Sequence, residues 1–490
     1  MALNLVRNSK VYFTTNLDTA ANGYKVLTSG FTAANTFEIQ VLDGFTFSQK
    51  TNQDTVTVME AGAAPVRGQR AFNTSLAPVD FSFSNYIRPF NTGSAITAEE
   101  SVLWNALLTD QAISTANTIT VGGTVSGVTY AFSNTTGNGT VTIAGSALTA
   151  SGLAVGDTVV ITGLTGAPSA DLVYLNAAAV VTAIGATAIT LDLANAKAGT
   201  ITGITSGTIK LYKSAWAPVS SAYSLATTAG SNKHQLQKFG MIFVVDKVAY
   251  AVDNCALTQV SIDFGLGAIA TAAWTGQATQ LRQIATDLIA SGGTFSGGTI
   301  TGNYTTKNTA ASYITNKLST VSLSLVNGLV DSTGTTIAAA GTAYTLALTG
   351  GNININNNIT YITPANLGVV NLPVTYYTGS RAITGSLNAY LKTGTGVGGT
   401  GQLLADMLAA SSATIEPMVA LQIAIGGSNN TIKAVLDMPS AVLSVPAVDV
   451  KTVVETTITF SAEGSVPSTT ANANSYDLTE TNDLTVRYYS

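Results

Sequence analysis

The chain carries one pattern twice. A helix-like stretch in the first half sets Leu103, Trp104, Leu107 and Leu108 at the spacing that Leu403, Leu404, Met407 and Leu408 repeat in the second. Upstream of each lies a strand-like segment with a tyrosine, Ser84-Asn85-Tyr86-Ile87-Arg88 and Asn388-Ala389-Tyr390-Leu391-Lys392. Downstream, an aspartate precedes an aromatic residue by the same interval, Asp263 to Trp274 and Asp449 to Phe460. Internal repetition constrains a fold more tightly than any local propensity, because each repeat must be one structural unit.

Alternation with a period of two dominates both halves. Phe37, Ile39 and Val41 alternate with Glu38 and Gln40; Thr55 to Val58, Phe81 to Ser84, Val321 to Leu325 and Asn352 to Ile355 read the same way. One apolar and one polar face per strand is the signature of antiparallel sheets. Helices are expected at Ala98–Leu108, with Thr97 as N-cap and Glu100 completing a capping box, and at Gln402–Ala409. A further helix is expected over Gln277–Ile289, with Leu281, Ile284 and Leu288 on one side, followed by a Gly-, Thr- and Ser-rich linker from Ser291 to Asn308.

The halves differ in one place. Far more residues separate Leu108 from Asp263 than Leu408 from Asp449, and the segment Ser114–Lys213 supplies the excess. Its short strands, around Val155–Gly163, Ala179–Ala183 and Ala188–Leu193, predict a small β-sandwich or barrel emerging from a loop. The expected fold is therefore mainly β: two tandem sandwich or barrel domains, each with a flanking helix, and a small all-β domain inserted in the first. The expected boundaries are 1–113 with 214–290 for the first domain, 114–213 for the insert, 291–311 for the linker and 312–490 for the second domain.

Composition narrows the function. Charged residues make up 10% of the chain, against roughly 25% in an average globular protein. Apolar content stays ordinary at 46%, so disorder is excluded and a surface largely covered by neighbours is expected. The 21 basic and 26 acidic residues leave a net charge of −5, which does not fit a phosphate-gripping surface. It does fit a wall past which nucleic acid slides. Single residues of His and Cys exclude multi-histidine metal sites and an internal disulfide. His234 lies in a polar stretch and reads as a loop residue, and Cys255 as a small buried hydrophobe. The glycine runs Gly396–Gly401 and Gly292–Gly298 have no P-loop lysine. Glu99 and Glu100 fit the dipole of a helix start better than a catalytic pair. No cofactor and no enzymatic activity are expected. The first residues lack the apolar core of a secretory signal, and no run of about 20 apolar residues suggests a membrane span, so folding in the cytoplasm is expected. In the charge-poor background, Glu60, Arg67, Arg70 and Phe72 stand out as a docking loop, with guanidinium forks suited to a neighbour's carboxylates or carbonyls.

Several segments resemble the major tail tube protein of long-tailed bacteriophages. They are Leu5–Tyr12, Val58–Pro89, Leu103-Trp104, Asp253-Asn254-Cys255, Ala272–Gly276, Tyr313–Leu318 and Gly350–Pro364. The likeness is strongest to the subgroup with two fused tube domains, and covers most of residues 1–110 and 235–465. It implies stacked rings of three chains with pseudo-six-fold symmetry, forming a hollow virion tail through which DNA passes. The implied partners are other copies of the chain, a tape measure protein and genomic DNA in the lumen without sequence-specific binding, tail terminator and baseplate or tip proteins, and, if the tail is contractile, a sheath; a membrane is not among them. Glu38, Asp43 and Asp54, on or beside the first alternating strands, are the expected lumen-facing residues. The insert departs from the basic tube domain and is expected on the outer surface. A β-rich adhesin, fibre or surface-layer subunit is the alternative reading of the same composition; an enzyme acting on surface glycans is a more distant one.

Overall fold

A computed structural model describes residues 9–56, 70–91, 96–108, 118–120, 125–133, 139–145, 158–168, 171–193, 199–213, 236–245, 248–284, 289–295, 313–392, 399–411, 417–426, 433–450, 454–462 and 484–489, apart from positions 20, 22, 33, 173, 174, 176, 177, 291–293, 327, 368 and 369. The fold is mainly β.

The first half opens with β1 (Lys10–Thr14), β2 (Thr36–Ile39), β3 (Thr46–Val56) and β4 (Arg70–Tyr86). A short hairpin, β5 (Pro89–Asn91) and β6 (Ile96–Ala98), leads to helix α1 (Ser101–Leu108). The segment that follows contains β7 (Thr118–Thr120), β8 (Val125–Phe132), β9 (Gly139–Gly145), β10 (Thr158–Thr165), β11 (Ala178–Ile184), β12 (Ala188–Leu193) and β13 (Thr205–Lys213). These form a sheet of their own in the order β7-β13-β10-β11-β12-β9-β8. Alternating residues such as Val141, Ile143, Ile189 and Leu191 fill its separate core. The chain then returns through β14 (Phe239–Val245), β15 (Val248–Asp263), β16 (Thr271–Ala278) and β17 (Gln280–Ile284), and β18 (Ile289–Ala290) pairs with β19 (Thr294–Phe295). The helix expected over Gln277–Ile289 is instead β16 and β17, joined at Thr279, with residues 285–288 outside the described set. Short apolar runs fit either period, and here the ladder to β15 decides for strand.

The second half contains β20 (Thr320–Leu325), β21 (Leu329–Val330), β22 (Thr336–Ala338), β23 (Ala343–Thr345), β24 (Leu348–Asn356), β25 (Ile359–Ile362), β26 (Thr375–Thr378) and β27 (Ala382–Tyr390). Helix α2 (Thr400–Ala410) follows, then β28 (Met418–Ile425), β29 (Lys433–Leu443), β30 (Ala447–Val450), β31 (Val454–Ala462) and β32 (Thr485–Tyr489).

The ladders of the two halves match strand for strand. The first runs β2-β1-β14-β15-β16-β4-β3, with β17 also on β15. The second runs β23-β20-β28-β29, then through β31 to β27 and β24, with β32 on β29 and β30 on β31. Even the irregularities coincide. The register skips between Phe239 and Met241 opposite Cys255 and Val252, and again between Val419 and Leu421 opposite Ala441 and Met438. Bulges re-aim a strand and raise its twist. Here each lets one long path leave one sheet and enter another, so the first half of β15 pairs with β14 and β17 and the second half with β16. Asp263 and Asp449 fall at equivalent rungs, opposite Thr271 and Glu455. The aromatic residues of the expected repeat do not: Trp274 faces Phe83, whereas Phe460 faces Gly385. The first hairpin turn is longer, and the aromatics sit one pleat repeat apart.

The main core lies between the sheets. Phe13 stacks on Phe239 at 4.7 Å and Phe47 on Phe243 at 4.9 Å. Helix α1 closes it, with Trp104 edge-on to Trp274 at 5.1 Å between centroids and Leu103 and Leu107 fully buried. The Leu108 side chain lies outside the described residues. The helix starts later than expected: Thr97 lies in β6 opposite Phe90, and the Glu100 carbonyl accepts the amides of Leu103 and Trp104 at the helix start. In α2, Leu403, Met407 and Ala410 face the core. Leu404 is half-buried, and Leu408, expected in the core, is 54% exposed. A helix seated on a sheet buries one stripe, and positions 404 and 408 lie rotated off the stripe through 403, 407 and 410.

Candidate functional site

The site that the fold builds is a wall. Five residues of β15 pair with five of β24, from Gln259 opposite Asn356 to Asp263 opposite Asn352, joining the halves into one sheet in the order β3-β4-β16-β15-β24-β27-β31. Because side chains alternate, every rung assigns its residues to one face. One face is apolar: Phe47, Phe81, Phe83, Trp274, Val260, Ile262, Ile353, Ile355, Leu387 and Ile458 belong to the core or pack on it. The opposite face is almost entirely uncharged and polar. One row reads Ser84, Ala273, Ser261, Asn354, Thr384 and Ser461; the next reads Thr271, Asp263, Asn352, Ser386 and Thr459. Cross-strand hydrogen bonds hold the short side chains down, including Thr46 with Ser82 at 2.8 Å, Ser386 Oγ to Asn352 Oδ1 at 2.9 Å and Thr457 Oγ1 to Asn388 Oδ1 at 3.0 Å. Asp80, Asp263 and Glu455 add a sparse negative charge to this face.

A second contact locks the halves. The hairpin β25–β26 of the second half lies on the first: Tyr361 donates to the carbonyls of Asn254 and Gln277, at 2.8 and 3.0 Å, and Tyr376 to that of Leu236 at 3.3 Å. Lys238 sits 4.0 Å from the Tyr376 ring centroid, and burial lowers its pKa. Burial likewise pushes the Tyr361 hydroxyl well up, so it stays a donor. The hairpin's far end exchanges backbone hydrogen bonds with β4, Leu76 to Asn371 at 2.9 Å and Asn371 to Thr74 at 3.2 Å.

The sequence-derived candidates are scattered. Glu38, on β2, lies 3.5 Å from Lys10 with its side chain mostly buried, and burial raises its pKa. Asp43 is exposed in the loop before β3. Asp54 and Phe72 are exposed and face each other near the last described rung of the β3–β4 ladder, where Arg70 pairs with Val56. Glu60 and Arg67 lie outside the described residues, as do His234 and most of the glycine run from Gly396. The polar rows of β4, β15, β16, β24, β27 and β31 were not picked out from sequence. Their alternation was visible; which strands adjoin was not. Among the described residues no group of three or more His, Cys, Asp or Glu is arranged to hold a metal ion, and no helix is long and apolar enough to cross a membrane.

No protein-family model matches the chain. It is similar to the tail tube protein pb6 of Escherichia phage T5, at 23% identity over 466 residues, which cover 94% of this chain and 73% of that protein. Running nearly end to end through a mainly β chain, the likeness supports a tail tube protein of long-tailed phages.

Proposed function

We propose that this chain is a structural virion protein that polymerises into the hollow tube of a phage tail, made in the host cytoplasm and delivered in the virion. The observation that carries the reading is the single sheet spanning both halves, apolar on one face and lined with Ser, Thr and Asn on the other. A wall of short uncharged groups with a few carboxylates, and with exposed Lys50 at its β3 edge, offers phosphates little cationic charge to grip among the described residues, and weak like-charge repulsion keeps DNA off the surface. The role is structural rather than catalytic.

In this reading residues 1–113 with 214–290 form one tube domain, 312–490 the other, and 291–311 join them, while 114–213 decorate the outside. Three chains close a pseudo-hexameric ring, and rings stack. Asp43 and Asp54 contribute to the negative lining, with Glu38 balanced by Lys10; Arg70 and Phe72, with Glu60 and Arg67, dock a neighbouring subunit. The tape measure protein and DNA occupy the lumen in turn, terminator and baseplate or tip proteins cap the ends, and in a contractile tail a sheath is a further partner outside. The likeness does not favour the cell-surface alternative.

Electron microscopy of the purified full chain tests this. Rings or tubes with a central channel are expected. Monomers or solid fibres under all assembly conditions would refute it.

A further inference from the structure

The two halves hold their outer edge strands differently. β17 and β32 are counterparts: Ala251 is opposite Arg282 and Asp437 opposite Thr485, each one residue before the matched register skips at Val252 and Met438. In the first half β17 has a clasp of its own. Thr279 alone joins it to β16, and the amide and hydroxyl of Thr279 both donate to the Asp253 carbonyl at 3.0 Å. The Arg282 guanidinium forks onto the Asp253 carboxylate, with Nη2 2.7 Å from Oδ1. Gln49 accepts the Leu281 amide at 3.1 Å and donates to the Thr279 carbonyl at 3.2 Å.

Each of these groups is replaced in the second half. Pro439 stands at the Asp253 position and Thr485 at that of Arg282. Ile355, opposite Ile383 as Gln49 is opposite Val79, stands at that of Gln49. Residues 463–484 separate β31 from β32, where one residue suffices between β16 and β17. A longer connection raises the entropy cost of seating a strand. β32 nevertheless seals the core: Leu484, beside it, is fully buried and Val486 is 1% exposed.

The insert lies on β32 instead. β10 and the β5–β6 hairpin both come within 8 Å of β32, Cα to Cα, and β10 comes as close to β6. We propose that the insert is the clasp of the C-terminal strand: β10, braced by β6, holds β32 on β29 and takes the place of Asp253, Arg282 and Gln49 of the first half. A module that leaves the first half after α1 thereby fastens the last strand of the second. The outer position expected for the insert is kept, because β32 pairs with β29 rather than with a strand of the polar wall. The clasp lies within one chain, so it stands whether or not the chain forms a tube.

Hydrogen exchange on the full chain tests this. Ile161 and Ile189 are fully buried in the insert's core, which shares no residue with the main core. Ile161→Asp with Ile189→Asp sets two unpaired charges there and opens the insert, which faster exchange in β8, β9 and β12 verifies. Amides of Thr485–Tyr489 are then expected to exchange about tenfold faster or more, while those of Gln280–Ile284, held by their own clasp, keep the unaltered rate. Leu164→Ala, which only hollows the same core, is the milder variant and should move β32 in the same direction by less. Unchanged protection of β32 with the insert open overturns the clasp. Equal loosening of β32, β17 and β14 overturns it too, because the insert would then brace the whole body and not one strand.

Discussion

Arg88 and Glu99 form an ion pair buried inside a protein with few charges: Nη2 lies 2.6 Å from Oε2, and the two side chains are 3% and 2% exposed. Arg88 also donates to Gln40 Oε1 at 2.8 Å and to the Tyr313 hydroxyl at 3.3 Å, while Glu99 accepts the Gln40 amide. The cluster ties the ends of β2 and β4 and the turn before α1 to the start of the second half. The sequence suggested a helix-dipole role for Glu99; the structure assigns its carboxylate to Arg88 instead. Arg88→Met leaves Glu99 buried without its countercharge. A loss of about 3–5 kcal/mol is expected, read as a lower denaturant midpoint. An unchanged midpoint would show that the pair carries little of the stability.

The same carboxyl predicts a pH dependence. Burial outweighs the attraction of Arg88 and pushes Glu99 up to about 7 from an ordinary value of 4.5. Its native-state pKa exceeds the unfolded one, so between these limits the native state binds more protons. Glu99 therefore contributes a stability that is present below about pH 4.5 and is lost as pH rises toward 7. Unfolding curves across this window should show a negative slope that Glu99→Gln flattens. An identical slope in the variant would assign the effect to other groups.

Phe81 and Gly276 face each other across β4 and β16, and at the equivalent rung Gly385 and Phe460 do so across β27 and β31. The aromatic ring has changed strands while the rung has kept one Phe and one Gly. A Cβ on Gly276 would run into the Phe81 ring and lie 2.8 Å from the Ala256 carbonyl. Gly276→Ala should cost about 1–3 kcal/mol. The swap Phe81→Gly with Gly276→Phe should be more stable than the sum of the single changes, because it reproduces the second half's arrangement. Simple additivity of thermal midpoints would argue against that.

Leu408 and Leu403 should separate cleanly. Leu403→Ala empties a fully buried position and should cost about 2–5 kcal/mol. Leu408→Ser removes a mostly exposed side chain and should stay within about 0.5 kcal/mol. Calorimetry of both variants reads the difference, and equal losses would restore Leu408 to the core.

Thr384 and Ser461 sit side by side on the polar face. Thr384→Lys or Ser461→Lys should leave the unfolding midpoint within about 0.5 kcal/mol. In an assembled tail, a ring of added cations should slow DNA passage, an effect weakened by salt. Particles carrying either variant that eject DNA at the unaltered rate would place this face elsewhere than the channel.

The sequence by itself determined the mainly β class, the repeat, the strand grammar of the insert and the depletion of charge, because alternation and composition are local properties of the chain. Two features were decided only by tertiary structure. Residues 280–284 became a strand because β15 offered them a ladder, where periodicity alone also allowed a helix. The polar wall exists because β15 and β24, far apart in sequence, share five rungs that place Ser261 beside Asn354 on one face and Ile262 beside Ile353 on the other. Strand adjacency depends on long-range pairing and on bulges that redirect strands between sheets, and short-range pattern holds no record of either.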